Sequence, residues 1–505
     1  MITDHLVILP ILVPMFAALL QLLVWGEQPQ VYRRAIGLGA SVLTLALAIW
    51  LVIAVQDEVL VYALGGWQAP FGIVLVADKL SALMVALTAV LALPVLIYAC
   101  HGEDNLGSHF QALFQFQILG IMGAFLTGDL FNLFVFFEIL LISSYALLMH
   151  GGGKAKLRAT LHYVVLNLTG SALFLISLGV LYGITGTLNM ADMAGKIALL
   201  EGDDASIARA GGMLLFVVFG LKAALLPLYF WLPQAYANTT GTVAALFAIM
   251  TKVGVYAILR VFTMIFGADA GEAAMLAHDW LWWLGLFSIL LGALGVLGSR
   301  DIRLVIAYLV LISVGTILTT LSLGHPDAIA AALYYLVHST LVTGALFLLV
   351  DLIAEQRGKT ASRIVKGRKM AQHNMLGGMF FIAAITVIGI PPLSGFVGKL
   401  FILEAARTGA QVALLWPLIL GATFLMIVAL SRAGSRMFWH TLDGKPNDVT
   451  HPKWQHAAVI LLLTGALALT VFANVMFDYT SAIATQLSQP SDYIFSVLPQ
   501  GGQHE

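Results

Sequence analysis

Residues 211–234 read GGMLLFVVFGLKAALLPLYFWLPQ, an apolar run holding a single cation, Lys222, followed by Pro227 and Pro233. A run of this length crosses a bilayer as a helix, since about 20 residues cover a hydrocarbon core of about 30 Å. No Asp or Glu lies within ten positions of Lys222 on either side. A charge at that depth costs from about 3 kcal/mol on insertion scales to more than ~10 kcal/mol in simulation, so Lys222 points to the carriage of charge or protons. Pro227 removes an N–H and clashes with the preceding turn, which predicts a broken helix. Broken backbone inside a membrane survives only where protein or a water-filled cavity satisfies it.

The rest of the chain follows the same pattern. Of its 505 residues 60% are hydrophobic and 10% charged, and the mean hydropathy is +0.95, which predicts an all-α polytopic membrane protein. Apolar runs mark about fourteen spans, near 5–25, 34–55, 77–99, 111–127, 129–149, 162–184, 211–230, 241–265, 278–298, 302–323, 328–353, 375–406, 411–438 and 456–478. They are continuously apolar and lack the polar alternation of a membrane β-barrel. The first run has no Lys or Arg ahead of it and reads as a spanning helix, not a signal peptide. A net charge of -1 and a pI near 6.9 leave no basic face for a nucleic-acid partner. Cys100 is the sole cysteine, which excludes disulfide frameworks and thiolate-held clusters within this chain. No nucleotide loop, nucleophile triad or metal cluster is visible, so no enzyme, cofactor or metal is expected.

With both termini outside, seventeen Lys and Arg fall at the inner loops and span ends against five at the outer ones. That bias places both termini on the non-cytoplasmic side of a bacterial inner membrane. The twelfth span, FIAAITVIGIPPLSGFVGKLFILEAAR, is interrupted like the seventh, with Pro391 and Pro392 ahead of Lys399. Interrupted segments in two halves point to inverted repeats around a pathway at mid-membrane. The expected organisation is an N-terminal group 1–110, two inverted five-helix repeats at 111–265 and 278–438, each with a broken helix, a last span 456–478 and a non-cytoplasmic tail 479–505.

Four further ionisable residues lie deep within spans and bear on function. Glu138, in GDLFNLFVFFEILLISSYALL, must protonate or pair with a cation; its bland alternative is a neutral packing carboxyl. Lys252 in the eighth span and Lys399 in the twelfth suit a proton relay, and snorkelling to an interface is the alternative. His338 in the eleventh span, beside Ser339 and Thr340, is either a stepping stone for protons or a histidine satisfied by a neighbouring helix. Asp129, Asp351 and Glu404 stand near span ends, where a carboxylate can admit cations or be an ordinary interfacial charge.

Three motifs in order, GDLFNLFVFFEILLISSYALL, FGLKAALLPLYFWLPQAYANTTGTVAALFAIMTKVGVYAILR and IGIPPLSGFVGKLFIL, resemble the antiporter-like subunits shared by respiratory complex I and the multisubunit Mrp/Pha/Mnh cation/proton antiporters. Lysine at 399 and a chain that ends soon after its last span make the likeness strongest to the D subunits of Mrp-type antiporters. The resemblance implies a proton-translocating subunit of a monovalent-cation (Na+)/proton antiporter that works in the lipid bilayer with other antiporter subunits. It also implies a pathway with Glu138 and Lys222 as the first pair, Lys252 and His338 as the central relay, and Lys399 as the far lysine. Many such proteins carry a lysine where this chain has Thr343, a side chain that orders water but does not titrate near neutrality. A proton-pumping subunit of an NADH-quinone oxidoreductase is the nearest alternative, and a transport-inactive scaffold is a more distant one.

Overall fold

The structure, a computed structural model, describes residues 5–24, 29–107, 109–442 and 449–498. Two helices, α1 (Leu9–Leu23) and α2 (Pro29–Ala54), precede an antiparallel hairpin of β1 (Leu60–Ala63) and β2 (Val74–Ala77). Helices α3 (Lys79–Ala99), α4 (Phe110–Leu126), α5 (Leu130–Leu148) and α6 (Lys154–Thr185) follow, then the short α7 (Met190–Ile197). The seventh expected span is α8 (Gly202–Ala223) with α9 (Trp231–Asn238), and the eighth is α10 (Gly241–Leu246) with α11 (Met250–Met264). Beyond them lie α12 (His278–Gly298), α13 (Ile302–Leu321) and α14 (Pro326–Gln356). The chain continues through α15 (His373–Ile388), α16 (Ser394–Ala405), α17 (Gly409–Gly434), α18 (Lys453–Val471), α19 (Ala473–Ser488) and α20 (Pro490–Val497).

Among the described residues, eleven helical segments are long and apolar enough to cross a membrane. Leu9–Leu23, Phe110–Leu126 and His373–Ile388 are shorter apolar helices at three further expected spans. Length and hydropathy thus carry eleven crossings, and fourteen is the number read from the sequence. The hairpin departs from the all-helical expectation. Its β2 strand is wholly buried, and the Gly128 N–H donates to the Val74 carbonyl at 3.0 Å, so the strand packs beneath the link between α4 and α5. The residues expected as a tail begin with the end of α19, and α20 follows.

The two halves share their backbone geometry. Where α5 begins, the Leu130 N–H donates to the Leu188 carbonyl and the Met190 N–H to the Gly128 carbonyl, both at 2.9 Å. Where α13 begins, Ile302 donates to Ser362 at 3.0 Å and Ile364 to Arg300 at 2.9 Å. Asp129 and Asp301 cap the two helices at matching places. The proline-bearing breaks correspond as well. α8 ends with Ala224 in the left-handed region (φ 59°) and Leu225 N–H bonded to the Gly220 carbonyl at 2.8 Å. α15 ends with Gly389 in the same region (φ 82°) and Ile390 bonded to Ile385 at 3.2 Å.

A third break, which no proline marks in the sequence, interrupts the eighth span between Leu246 and Met250. The Tyr236 hydroxyl donates to the Phe247 carbonyl at 2.6 Å, and Ala248, Ile249 and Met250 donate three residues back. A side chain inserted into the ladder tightens one turn and kinks the helix. Lys252 therefore lies at the first turn of α11. The most apolar 18-residue windows of Gly241–Met264 and Pro326–Gln356 are fully buried, so the elements carrying Lys252 and His338 are enclosed by protein, not lipid.

Candidate functional site

Lys222 sits in the last turn of α8 and is 8% exposed. A cation there faces the unsatisfied carbonyls of a helix C-terminus. Its ammonium donates to the Asn167 side-chain oxygen of α6 at 3.2 Å, and the Phe137 ring centroid of α5 lies 6.0 Å away. The Asn167 amide donates to the Tyr163 carbonyl at 2.9 Å, which turns its oxygen toward the lysine. Glu138, on α5, makes no direct ion pair with Lys222 but lies within its electrostatic reach, and it accepts a hydrogen bond from Ser171. Asn167 and Ser171 stand one turn apart on α6, on the same face. A polar ladder on α6 thus runs between the carboxyl and the ammonium. A cavity of about 10 Å³ lies beside Lys222, lined among others by Asn167, Tyr163 and Trp231, room for about one water molecule.

Lys252 has no exposed surface. Its ammonium makes a long 3.5 Å contact to the Ser313 hydroxyl of α13, which itself donates to Val310 at 2.8 Å and so turns a lone pair to the lysine. His338, 1% exposed on α14, shares a 2.9 Å hydrogen bond between Nδ1 and the hydroxyl of Ser394, the first residue of α16. Gly395 allows that approach: a Cβ there would lie 3.0 Å from the imidazole and 2.1 Å from the Thr386 carbonyl. Lys399 donates to the Ile388 carbonyl at 2.7 Å and to the Thr423 hydroxyl of α17 at 2.7 Å. Each proline-bearing break is therefore bridged from its second half, by the Trp231 indole N–H to the Leu221 carbonyl at 3.0 Å and by Lys399 to the Ile388 carbonyl at 2.7 Å. One bridge is neutral and the other can lose a proton. Lys252 and Lys399 both lie within electrostatic reach of His338. Among the described residues none of the three lysines is in an ion pair.

Asn167, Ser171, Ser313, Ser394 and Thr423 escaped the sequence reading, which followed charge. Their signal was a hydroxyl or amide inside an apolar run. Thr343 is buried on α14. Of the end-of-span carboxylates, Asp129 accepts from the Asn132 N–H at 2.8 Å as a cap, and Glu404 pairs with exposed Arg407. Asp351 has more partners than an ordinary interfacial charge: it pairs with Arg303 and accepts from the Tyr98 hydroxyl at 3.3 Å. Glu103, in the link before α4, lies against it, 7% exposed, and accepts from the Thr242 N–H at 3.3 Å. Burial first, and then the charge of Asp351, hold the Glu103 carboxyl well above the usual carboxylate range.

Residues 127–427 match the family profile described as NADH:quinone oxidoreductase/Mrp antiporter, transmembrane. The chain is 40% identical to the probable D subunit of a K(+)/H(+) antiporter from Rhizobium meliloti, covering 99% of both. It is 39% identical to the D subunit of the Na(+)/H(+) antiporter of Bacillus subtilis, over 98% of this chain and 100% of that one. A chain in the structure of the Mrp complex from Dietzia superposes with a TM-score of 0.86 at 26% identity, over 99% of this chain and 100% of that one. The matched profile takes in both proline-bearing breaks together with Glu138, Lys222, Lys252, His338 and Lys399, and the chain belongs to the NADH:quinone oxidoreductase/Mrp antiporter transmembrane family.

Proposed function

We propose that this chain is the proton-translocating D-type subunit of a multisubunit monovalent-cation/proton antiporter in the bacterial plasma membrane. It is a secondary transporter subunit, not an enzyme, and both termini face away from the cytoplasm. Protons pass along Glu138, Lys222, Lys252, His338 and Lys399, and partner subunits couple that movement to the monovalent cation. The repeats at 111–265 and 278–438 act as two half-pathways, with the N-terminal helices 1–110 and the last span 456–478 packed beside them and residues 479–505 outside.

The observation that carries this reading is the hydrogen bonding of the buried cations. Lys222, Lys252 and Lys399 meet an amide, hydroxyls and a carbonyl. A buried charge needs a paired charge to be fixed in place. Without one, losing the proton removes the cost of burial, and regaining it costs only what the next group supplies. Like charges in the interior repel strongly, so a proton on Lys252 disfavours one on His338 and passes occupancy along the row. The names of the relatives add K(+)/H(+) and Na(+)/H(+) exchange as the process served. Membrane vesicles carrying the whole complex test this: Lys252→Ala, assembled to wild-type levels, is expected to lose cation-dependent proton movement, and retained exchange would overturn the pathway.

A further inference from the structure

A groove of about 930 Å³ opens between α15 and α17 of the second half. Its walls are apolar, with Phe380, Phe381, Ala384, Ile385, Ile427 and Leu430 facing the opening. Phe381 is 60% exposed, as suits a lipid-facing wall. The polarity changes along its length. One end is lined by Lys369, His373, Ser435 and Trp439, and the other closes at Ile388 and Ile390, beside the break in the twelfth span. Trp439 is 77% exposed, and exposed tryptophans mark the level of the membrane–water interface.

The basic run Lys366-Gly367-Arg368-Lys369 is tied to this end of the groove. The Leu442 N–H donates to the Gly367 carbonyl at 2.8 Å, and Arg368 forms a β-bridge with Leu442, beyond the end of α17. Lys369 lines the groove itself, Lys366 and Arg368 stand next to it in the run, all three are exposed, and none is in an ion pair among the described residues. An apolar slot below and uncompensated cations at the interfacial level reproduce the order of a phospholipid, tails inward and phosphate at the rim. A partner's apolar helix would fit the slot and leave three cations without a counter-charge. Basic pockets between transmembrane helices are a known lipid-headgroup chemistry.

We propose that this groove holds one anionic diacyl phospholipid, its acyl chains between α15 and α17 and its phosphate at Lys369, Arg368 and Lys366. The proposal rests on membrane embedding alone and is independent of the proton pathway. Its deep end places the tails against Ile388, whose carbonyl holds Lys399, so occupancy packs the flank of the second break.

Native mass spectrometry of the intact complex, titrated with phosphatidylglycerol and separately with phosphatidylcholine, tests it. Phosphatidylglycerol should be retained and phosphatidylcholine should not. Replacing Lys366, Arg368 and Lys369 together by Gln should weaken retention about a hundred-fold, at about five-fold for each interfacial cation. Those side chains are exposed, so the variant keeps its fold; Ala384→Trp, which fills the slot, should abolish retention. Equal retention of phosphatidylcholine, or unchanged retention by the triple variant, would overturn the proposal. So would full displacement by inorganic phosphate, or cross-linking of Phe381→Cys to a neighbouring subunit.

Discussion

Lys399 does two things at one position: its ammonium satisfies the Ile388 carbonyl that the break leaves open, and it is the last buried cation of the row. These roles separate on substitution. Lys399→Arg keeps a donor and a charge but does not release its proton, so exchange should fall by ten-fold or more while the complex still assembles. Full exchange with unchanged pH dependence, measured in vesicles, would leave Lys399 with the first role alone. Ser394→Ala removes the Nδ1 partner of His338, worth about 1 kcal/mol, and should shift the pH profile of exchange with less effect on its maximum. Glu103 permits a test outside the row. Its carboxyl is held above the usual value of 4.5 by burial and then by Asp351, with Lys156 and Arg303 nearby and the His150 ring on its backbone carbonyl. A raised carboxyl binds its proton more tightly in the folded state, so its stabilisation is full below about 4.5 and is lost as pH rises toward the raised value. Glu103→Gln should flatten the fall of thermal stability with rising pH across that window; identical slopes would exclude the carboxyl as its source. At this scale the cations were legible, because charge in an apolar run is conspicuous. Their partners were not, because a serine or asparagine in such a run also satisfies its own helix, as Thr44 and Thr88 do.

The elements show which local signals survive into the fold. Proline foretold both breaks, and the matching left-handed residues, Ala224 and Gly389, show that the halves solve the same backbone problem. An L side chain in that conformation costs about 1–2 kcal/mol. A Cβ at 389 would also stand 3.0 Å from the Gly395 carbonyl and 3.2 Å from the Lys399 chain. Gly389→Ala should therefore lower stability by at least about 1 kcal/mol and disturb Lys399, whereas Ala224→Gly should be neutral or stabilising by up to about 1 kcal/mol. Thermal unfolding of the purified complex measures both, and an equal response at the two positions would contradict the account. The break before Lys252 was illegible because its cause is tertiary: the Tyr236 hydroxyl comes from another helix. The hairpin was missed for a related reason, since VLVYA and GIVLVA are too short to be told from span ends by periodicity.

Across the whole molecule, the interior row is enclosed by helices that are themselves clamped from the side. Arg260 of α11 makes a bidentate pair with Asp78, the cap of α3, at 2.7 Å for both bonds. The Tyr493 ring of α20 lies 5.1 Å from its guanidinium, which ties the last described helix to this clamp. Arg260→Ala leaves Asp78 buried and unpaired and should cost about 3–5 kcal/mol, read as loss of assembled complex. The general fold was open to sequence because apolar length and proline placement dictate it. Depth of burial along α14, and the side-by-side placing of His338 and Ser394, depended on how distant spans pack. The central claim is that protons move through this buried row, and Lys222 tests it most directly because its described hydrogen bond is to an amide and not to a carboxylate. The decisive measurement is cation-driven proton movement in vesicles carrying Lys222→Ala at wild-type levels of assembled complex. Exchange should fall to background if protons move through the row; exchange at the wild-type rate would contradict that claim.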